Sequence, residues 1–287
     1  MKEFRDKVAV ITGAASGIGR GLAERCAHEG LKLVLADIEE QPLTQTAHEL
    51  QANGATVLAV VTDVAKSSDV ENLAQQTLST FGGVHLLCNN AGVGGDTWLW
   101  KNSIAEWEWI IGVNMWGVIH GLHVFVPIML EQQVDCHIVN TASLAGLAAY
   151  SGSSIYKMTK HAVVSLSETL YLELEQIGAK VKVSVLCPGV VRTRIFESAR
   201  NRPTDLPKRP DGAEAGPYDN ELAQKFWQRL TEEALPPSQV ADLVFTAVRD
   251  QQFYILTHPA YNKIIQQRME DILRGHNPTN AMTLLVS

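Results

Sequence analysis

Tyr156-Lys157-Met158-Thr159-Lys160 places a phenol and an amine four residues apart at the expected start of a helix. Residues at that spacing share a helix face, so both side chains can point into one pocket. A free phenol, with a pKa of about 10, is a poor base at neutral pH. A neighbouring ammonium favours the phenolate and lets tyrosine exchange a proton with an alcohol or carbonyl oxygen. Taken alone, Tyr-x-x-x-Lys is also what two ordinary helix-surface residues give. Two further residues add weight. Ser143 follows the apolar run His137–Thr141 and precedes Tyr156 by 13 residues; its hydroxyl could hydrogen-bond a substrate oxygen as charge develops there. Asn114, in Val-Asn-Met-Trp-Gly on an expected helix, could hold a water beside Lys160.

A second motif supplies a place for a phosphate-bearing cofactor. Thr12–Gly19 reads TGAASGIG, after an expected strand and before an expected helix. Glycines let the backbone turn tightly and approach a pyrophosphate, and the helix N-terminus faces its negative charge. The spacing is Gly-x-x-x-Gly-x-Gly, and an ordinary strand-to-helix turn remains the alternative. Asp37 ends the next expected strand, where a carboxylate can accept hydrogen bonds from ribose hydroxyls and repel a 2′-phosphate. Neither Ser16 nor Ile38 brings a compensating positive charge, so NAD is expected over NADP. Arg20 is the cation near enough in sequence to oppose that choice.

These motifs need a frame. Short apolar runs at Val8–Thr12, Leu31–Ala36, Thr56–Val61, Val84–Cys88, His137–Thr141, Val181–Cys187 and Phe253–Thr257 alternate with helix-like stretches such as Gly17–Glu29 and Ser165–Ile177. Most runs are continuously apolar, as strands buried on both faces should be. The expected fold is therefore α/β, with helices on both faces of a mainly parallel sheet. Apolar residues make up 46% of the 287, enough for a large core, and the formal charge of −7 argues against a nucleic-acid partner. Cys26, Cys88, Cys136 and Cys187 are far apart, which excludes a CxxC metal site and suits a cytoplasmic protein with reduced thiols. The start of the chain does not read as a targeting segment. Gly117–Leu130 is broken by His120, His123 and Pro127 and reads as a buried helix, not a membrane span.

In this order the motifs resemble the short-chain dehydrogenase/reductase family, of the single-domain type. The matching residues are Thr12–Gly19, Asp63-Val64, Asn89-Asn90-Ala91-Gly92, Asn114, Ser143, Tyr156-xxx-Lys160 and Pro188-Gly189, across about residues 5 to 195. The resemblance implies a Rossmann-like, doubly wound sheet of seven strands in the order 3-2-1-4-5-6-7. It implies Tyr156 as general acid/base, Lys160 on the nicotinamide ribose, Ser143 on the substrate oxygen and Asn114 in a proton relay. Gly13, Ser16, Gly17, Ile18 and Gly19 would surround the pyrophosphate, and Asp37 and Ile38 the adenosine. Asp63 and Val64 would meet the adenine, while Asn90, Ala91 and Gly92 line the cofactor. Pro188, Gly189, Val191 and Thr193 would enclose the nicotinamide. Singly, Asp63 could cap a helix, the asparagines could be turn residues and Thr193 a helix cap. Many members carry a glycine-rich stretch with Asp-Gly at the last strand. This chain has FYILTHP and an extension, which puts the usual tetramer contact in doubt; a homodimer or homotetramer is expected.

The whole chain, 1–287, is expected to be one domain, with a lid insertion at 192–226 and a C-terminal helix and tail at 259–287. The lid reading rests on Pro203, Pro207, Pro210 and Pro217 in a stretch with few core residues. Ser143, Leu144, Tyr150, Tyr156, Val190 and Phe196, with Gly94–Trp98, Ile195 and Tyr218, are the expected substrate contacts. Trp107, Trp109 and Trp116 are expected in the core or an interface. The apolar Ala281–Val286 could pack on a partner subunit or hang free. The expected activity is NAD-dependent interconversion of a hydrophobic secondary alcohol and its ketone. Hydroxysteroid or cis-diol dehydrogenase is the alternative among enzymes, and a non-catalytic NAD-binding regulatory or scaffold protein the alternative outside them.

Overall fold

Continuous apolar runs become the strands of one parallel sheet in the computed structural model, which describes residues 1–95, 98–204, 206 and 221–286. The strands are β1 (Val8–Thr12), β2 (Lys32–Asp37), β3 (Val57–Val61), β4 (Leu86–Asn89), β5 (Cys136–Thr141), β6 (Val181–Cys187) and β7 (Tyr254–Leu256). Their order is β3-β2-β1-β4-β5-β6-β7, every neighbour parallel. The helices are α1 (Gly17–His28), α2 (Glu40–Ala52), α3 (Ser67–Phe81), α4 (Ile104–Ile111), α5 (Gly117–Glu131), α6 (Ser154–Gln176), α7 (Glu221–Glu232), α8 (Pro237–Asp250), α9 (Asn262–Arg274) and α10 (Ala281–Val286).

Successive side chains of a strand point to opposite faces, and the two cores show it. Ala9, Ile11, Leu33, Leu35, Leu86, Cys88 and Leu186 pack on one face with residues of α1, α2 and α8. Val8, Val10, Val34, Ala36, Leu87, Ile138 and Val183 pack on the other with α3, α5 and the end of α6. Each fully buried Val, Leu or Ile contributes roughly 1.5–3 kcal/mol, so both faces drive the same strand alignment. Because β1 lies between β2 and β4, the connections leaving β1 and β4 run in opposite directions along the sheet. That reversal opens a crevice beyond the carboxyl ends of the strands.

The strand readings hold to within one or two residues. One helix, Ser154–Gln176, takes in both the helix start expected at Tyr156 and the helical stretch expected at Ser165–Ile177, so Tyr156 lies in its first turn. Within the stretch 192–226, expected to be a lid, Ile195–Asn201 is a 3-10 strap and Glu221 onward is α7, while Pro207, Pro210, Pro217 and Tyr218 lie outside the described residues. Ala281–Val286 packs on its own chain. It is a short helix whose Ala281, Met282 and Leu285 are buried against Phe226, Leu230 and Ile264 of α7 and α9. The apolar α5 does bury one face, through Gly117, Val118, Gly121, Phe125 and Met129. With α4 and the π turn between them, it forms a run, Ile104–Glu131, long and apolar enough by length and composition to cross a membrane.

Candidate active site

The crevice is a cavity of about 780 Å³ that extends from Asp37, past Gly17, Asn90 and Thr193, to Tyr156 and the apolar residues of α7. Its phosphate end is built from bare backbone. Gly13 and Gly17 have φ of 67° and 54°, the left-handed region that disfavours other residues. A Cβ on Gly19 would stand 2.0 Å from the Gly13 carbonyl oxygen, so only glycine lets α1 start this close to the loop. Ser16 precedes α1 but makes no side-chain cap, and the first turn holds no acid; the helix N-terminus is left to an anion. Thr12 Oγ1 accepts from the Asn90 and Ala91 amides at 2.9 and 3.0 Å, which joins the end of β4 to the loop. A bare loop, a helix N-terminus and a terminal carboxylate in one long cavity fit a dinucleotide.

Asp37 is buried at the end of β2. Its carboxylate accepts from the Ala15 amide at 2.9 Å and the Glu39 amide at 3.0 Å. Burial raises its pKa while those backbone bonds pull it down. The oxygens retain lone pairs for ribose hydroxyls. Arg20 does not oppose this: it is paired with Glu24 at 2.9 Å and Glu49 at 2.6 Å and does not line the cavity. Ile38, Asp63, Val64, Gly92, Ser16 and Ile18 all line it. Asp63 also caps its own turn, accepting from the Ala65 amide at 3.1 Å. Thr193 likewise lines the cavity and accepts from the Ile195 amide at 3.4 Å.

At the other end β5 and α6 bring Ser143, Tyr156 and Lys160 together. Ser143 Oγ accepts from the Ala145 amide at 3.1 Å and lies 3.4 Å from the Pro188 carbonyl oxygen. Lys160 is buried; its Nζ donates to the Thr141 carbonyl oxygen at 2.9 Å and stands 5.5 Å from the Tyr156 ring centroid. Burial lowers the lysine pKa to about 8. Burial also pushes the Tyr156 phenol above its ordinary value, and the Ser143 hydroxyl hydrogen-bonded to it pulls the other way. The protein alone therefore does not produce the lowered phenol pKa that the Tyr–Lys spacing suggests. Both groups are desolvated, and their separation leaves desolvation dominant.

Among the described residues Trp98 does not line the cavity, and neither do two of the other expected site residues. One is Gly19, which works by close packing. The other is Asn114, fully buried in the π turn Gly112–Trp116. Its carboxamide is taken up by Val93, accepting from the amide at 2.8 Å and donating to the carbonyl at 2.9 Å, with Thr159 Oγ1 at 3.3 Å. The side chain fixes the stretch after β4.

Leu144, Tyr150, Val190 and Phe196 line the substrate side, as do Pro188, Gly189 and Val191. So do residues that sequence reasoning passed over: Ala148, Phe226, Trp227, Leu230, Thr231 and Ile264. Their signal was legible in part, since Ala223, Phe226 and Leu230 recur at helical spacing. Glu39 and Arg200 also line the cavity, and Trp109, expected in the core, does too.

A model of the short chain dehydrogenase family matches residues 7–204. Over 282 residues the chain is 36% identical to a protein of Lactiplantibacillus plantarum named CLA biosynthesis dehydrogenase/reductase, covering 97% of each. A solved short-chain dehydrogenase/reductase from Burkholderia phymatum, in complex with NAD, is 48% identical with a TM-score of 0.90, over 98% of this chain and 99% of that one. An alcohol dehydrogenase from the archaeon Thermococcus sibiricus, complexed with 5-hydroxy-NADP, is 27% identical with a TM-score of 0.70, over 88% of this chain and 96% of that one.

Proposed function

The chain belongs to the short-chain dehydrogenase/reductase family, and we propose that it is an NAD-dependent oxidoreductase interconverting a hydrophobic secondary alcohol and its ketone. The observation that carries this reading is the convergence of Ser143, Tyr156 and Lys160 on one cavity wall, between a dinucleotide cradle and an apolar chamber. Nicotinamide, when bound, supplies the hydride acceptor or donor. Tyr156, in the first turn of α6, exchanges the proton with the substrate oxygen. Ser143 hydrogen-bonds the same oxygen and stabilises charge that develops on it. Its alternative partner, the Pro188 carbonyl at 3.4 Å, holds the hydroxyl only weakly before substrate arrives. Lys160, anchored on Thr141, holds a positive charge at the base of the site and offers donors to the nicotinamide ribose.

The substrate end is lined by Leu144, Ala148, Tyr150, Val190, Phe226, Trp227, Leu230 and Ile264, with Thr231 as a polar exception. That lining favours an uncharged apolar substrate over a phosphorylated one. NAD is favoured over NADP by the buried carboxylate of Asp37 and by the pairing of Arg20 with two acids.

Tyr156→Phe tests the mechanism. Assayed by NADH absorbance on a panel of secondary alcohols and ketones, the variant loses about 10²- to 10⁴-fold in turnover. Its NADH dissociation constant stays within about threefold, a shift under 1 kcal/mol. Turnover retained in the variant removes Tyr156 from its role. A wild-type protein that binds NADH and turns over nothing in the panel is a binding protein.

A further inference from the structure

The strap Ile195–Asn201 is fastened on both sides of the cavity. On one side the buried Ser198 Oγ accepts from the Gly94 amide at 2.8 Å. On the other, Arg200 reaches Glu39 just before α2. Its Nε lies 3.2 and 3.1 Å from the two carboxylate oxygens, and its Nη2 3.0 Å from one of them. Asn201 adds a contact at 3.4 Å. The remaining Nη1 donates to the carbonyls of Arg194 at 2.9 Å and Glu197 at 3.1 Å. Every nitrogen of that guanidinium therefore has a partner.

This pair sits where the choice between NAD and NADP is made. Glu39 and Arg200 line the same cavity as Asp37, and the Glu39 amide is bonded to the Asp37 carboxylate. The two side chains are 19% and 23% exposed, so solvent screens them only in part. A ribose held by Asp37 would set its 2′ oxygen beside Glu39. A phosphate on that oxygen would meet two carboxylates and a guanidinium already neutralised. The other arginine lining the cavity among the described residues, Arg194, is paired with Glu197 on the exposed side.

We propose that Glu39 and Arg200 are a second cofactor-selecting element: Glu39 repels a 2′-phosphate and occupies the strap-borne guanidinium that would otherwise bind one. The proposal rests on the NAD reading given above. A planar guanidinium matches a phosphate bidentately, so the same strap carries a latent NADP site that one carboxylate keeps closed. The pair also couples cofactor choice to strap seating, since losing Glu39 frees Arg200 to turn.

The test is direct binding, read from the fluorescence of NADH and NADPH titrated with protein, as the ratio of the two dissociation constants. Glu39→Gln, checked for folding by circular dichroism, shifts that ratio toward NADPH by about tenfold, the order of one charged hydrogen bond. The shift shrinks as salt rises. Adding Arg200→Ala to Glu39→Gln cuts the shift to the part that relief of repulsion alone supplies, and Arg200→Ala alone, which leaves Glu39 unneutralised, moves the ratio away from NADPH. Should Glu39→Gln fail to fold, Glu39→Ala carries the same test. A ratio within about twofold of wild type in the Glu39 variant overturns the proposal, as does a shift of the same size with and without Arg200. Asp37→Ala separates the two readings. If it shifts the ratio and Glu39→Gln does not, only the proposal falls. If wild type already favours NADPH, the NAD reading falls first and takes the proposal with it.

Discussion

Lys160 is a buried cation whose Nζ donates to the Thr141 carbonyl oxygen, and burial dominates its proton affinity. Its pKa falls from 10.5 to about 8 because burial disfavours the charged form. Between those values the unfolded chain binds more protons than the folded one, so this group makes stability rise with pH across that window. Below about pH 8 the full cost of the buried charge is present. Lys160→Met removes the cost and is expected to stabilise the fold by roughly 1–3 kcal/mol at pH 7, while turnover is lost. Thermal melts at pH 7 and pH 10 check it: the advantage of the variant shrinks at the higher pH. A variant less stable than wild type at pH 7 would show that the Thr141 hydrogen bond outweighs desolvation. The identities of Ser143, Tyr156 and Lys160 were legible because their spacing on one strand end and one helix turn is a sequence property. Their proton affinities were not, because burial depends on residues far away in sequence, such as Cys187 beside Lys160.

At the scale of elements, the strands were legible and the pieces over the substrate were not. A strand buried on both faces announces itself by a continuous apolar run, as β1 and β6 do. The strap and α7 are short, polar on the outer side and separated by a proline-bearing stretch of sequence, so they read as one irregular stretch. Their positions depend on tertiary contacts: Arg192 Nε on the Ala234 carbonyl at 3.0 Å, and Val191 bridged to Leu235. The tail was ambiguous for the same reason, since a six-residue, mostly apolar segment is too short to form a helix without something to pack on. They have it in α7 and α9, where Met282 and Leu285 are each 1% exposed. Ending the chain after Thr279 uncovers Phe226, Leu230 and Ile264. The truncated protein is expected to melt several degrees lower and to raise KM for bulky alcohols. Its NADH affinity stays the same, because the cradle lies at the opposite end of the cavity. Equal losses for alcohol and NADH would mean that α10 supports the whole fold and not the substrate wall.

The whole molecule divides its labour along the chain. Residues 7–204 carry the family match and hold the cradle, the catalytic wall and the strap. The far wall of the substrate chamber comes from α7 and α9, beyond that match, which is why motif reasoning named the reaction type before it could size the substrate. Leu230 and Ile264 are 6% and 3% exposed and both line the cavity within the same apolar cluster. Each methylene of a substrate that reaches this chamber gains roughly 0.8 kcal/mol, close to fourfold in kcat/KM. For a homologous series of 2-alkanols, kcat/KM is therefore expected to climb with length and then break where the chain meets Leu230 and Ile264. Ile264→Ala shortens that wall and moves the break toward longer alcohols by about one or two carbons. It costs roughly 2–5 kcal/mol of stability as a buried deletion, so the series is run well below the melting temperature of the variant. The NADH dissociation constant should not move, since Ile264 is remote from Asp37 and the phosphate loop. A break that stays at the same alcohol in Ile264→Ala and in Leu230→Ala would place the limit elsewhere, on Tyr150 or Trp227, and assign the chamber's size to the loop after Ser143 and the outer turn of α7.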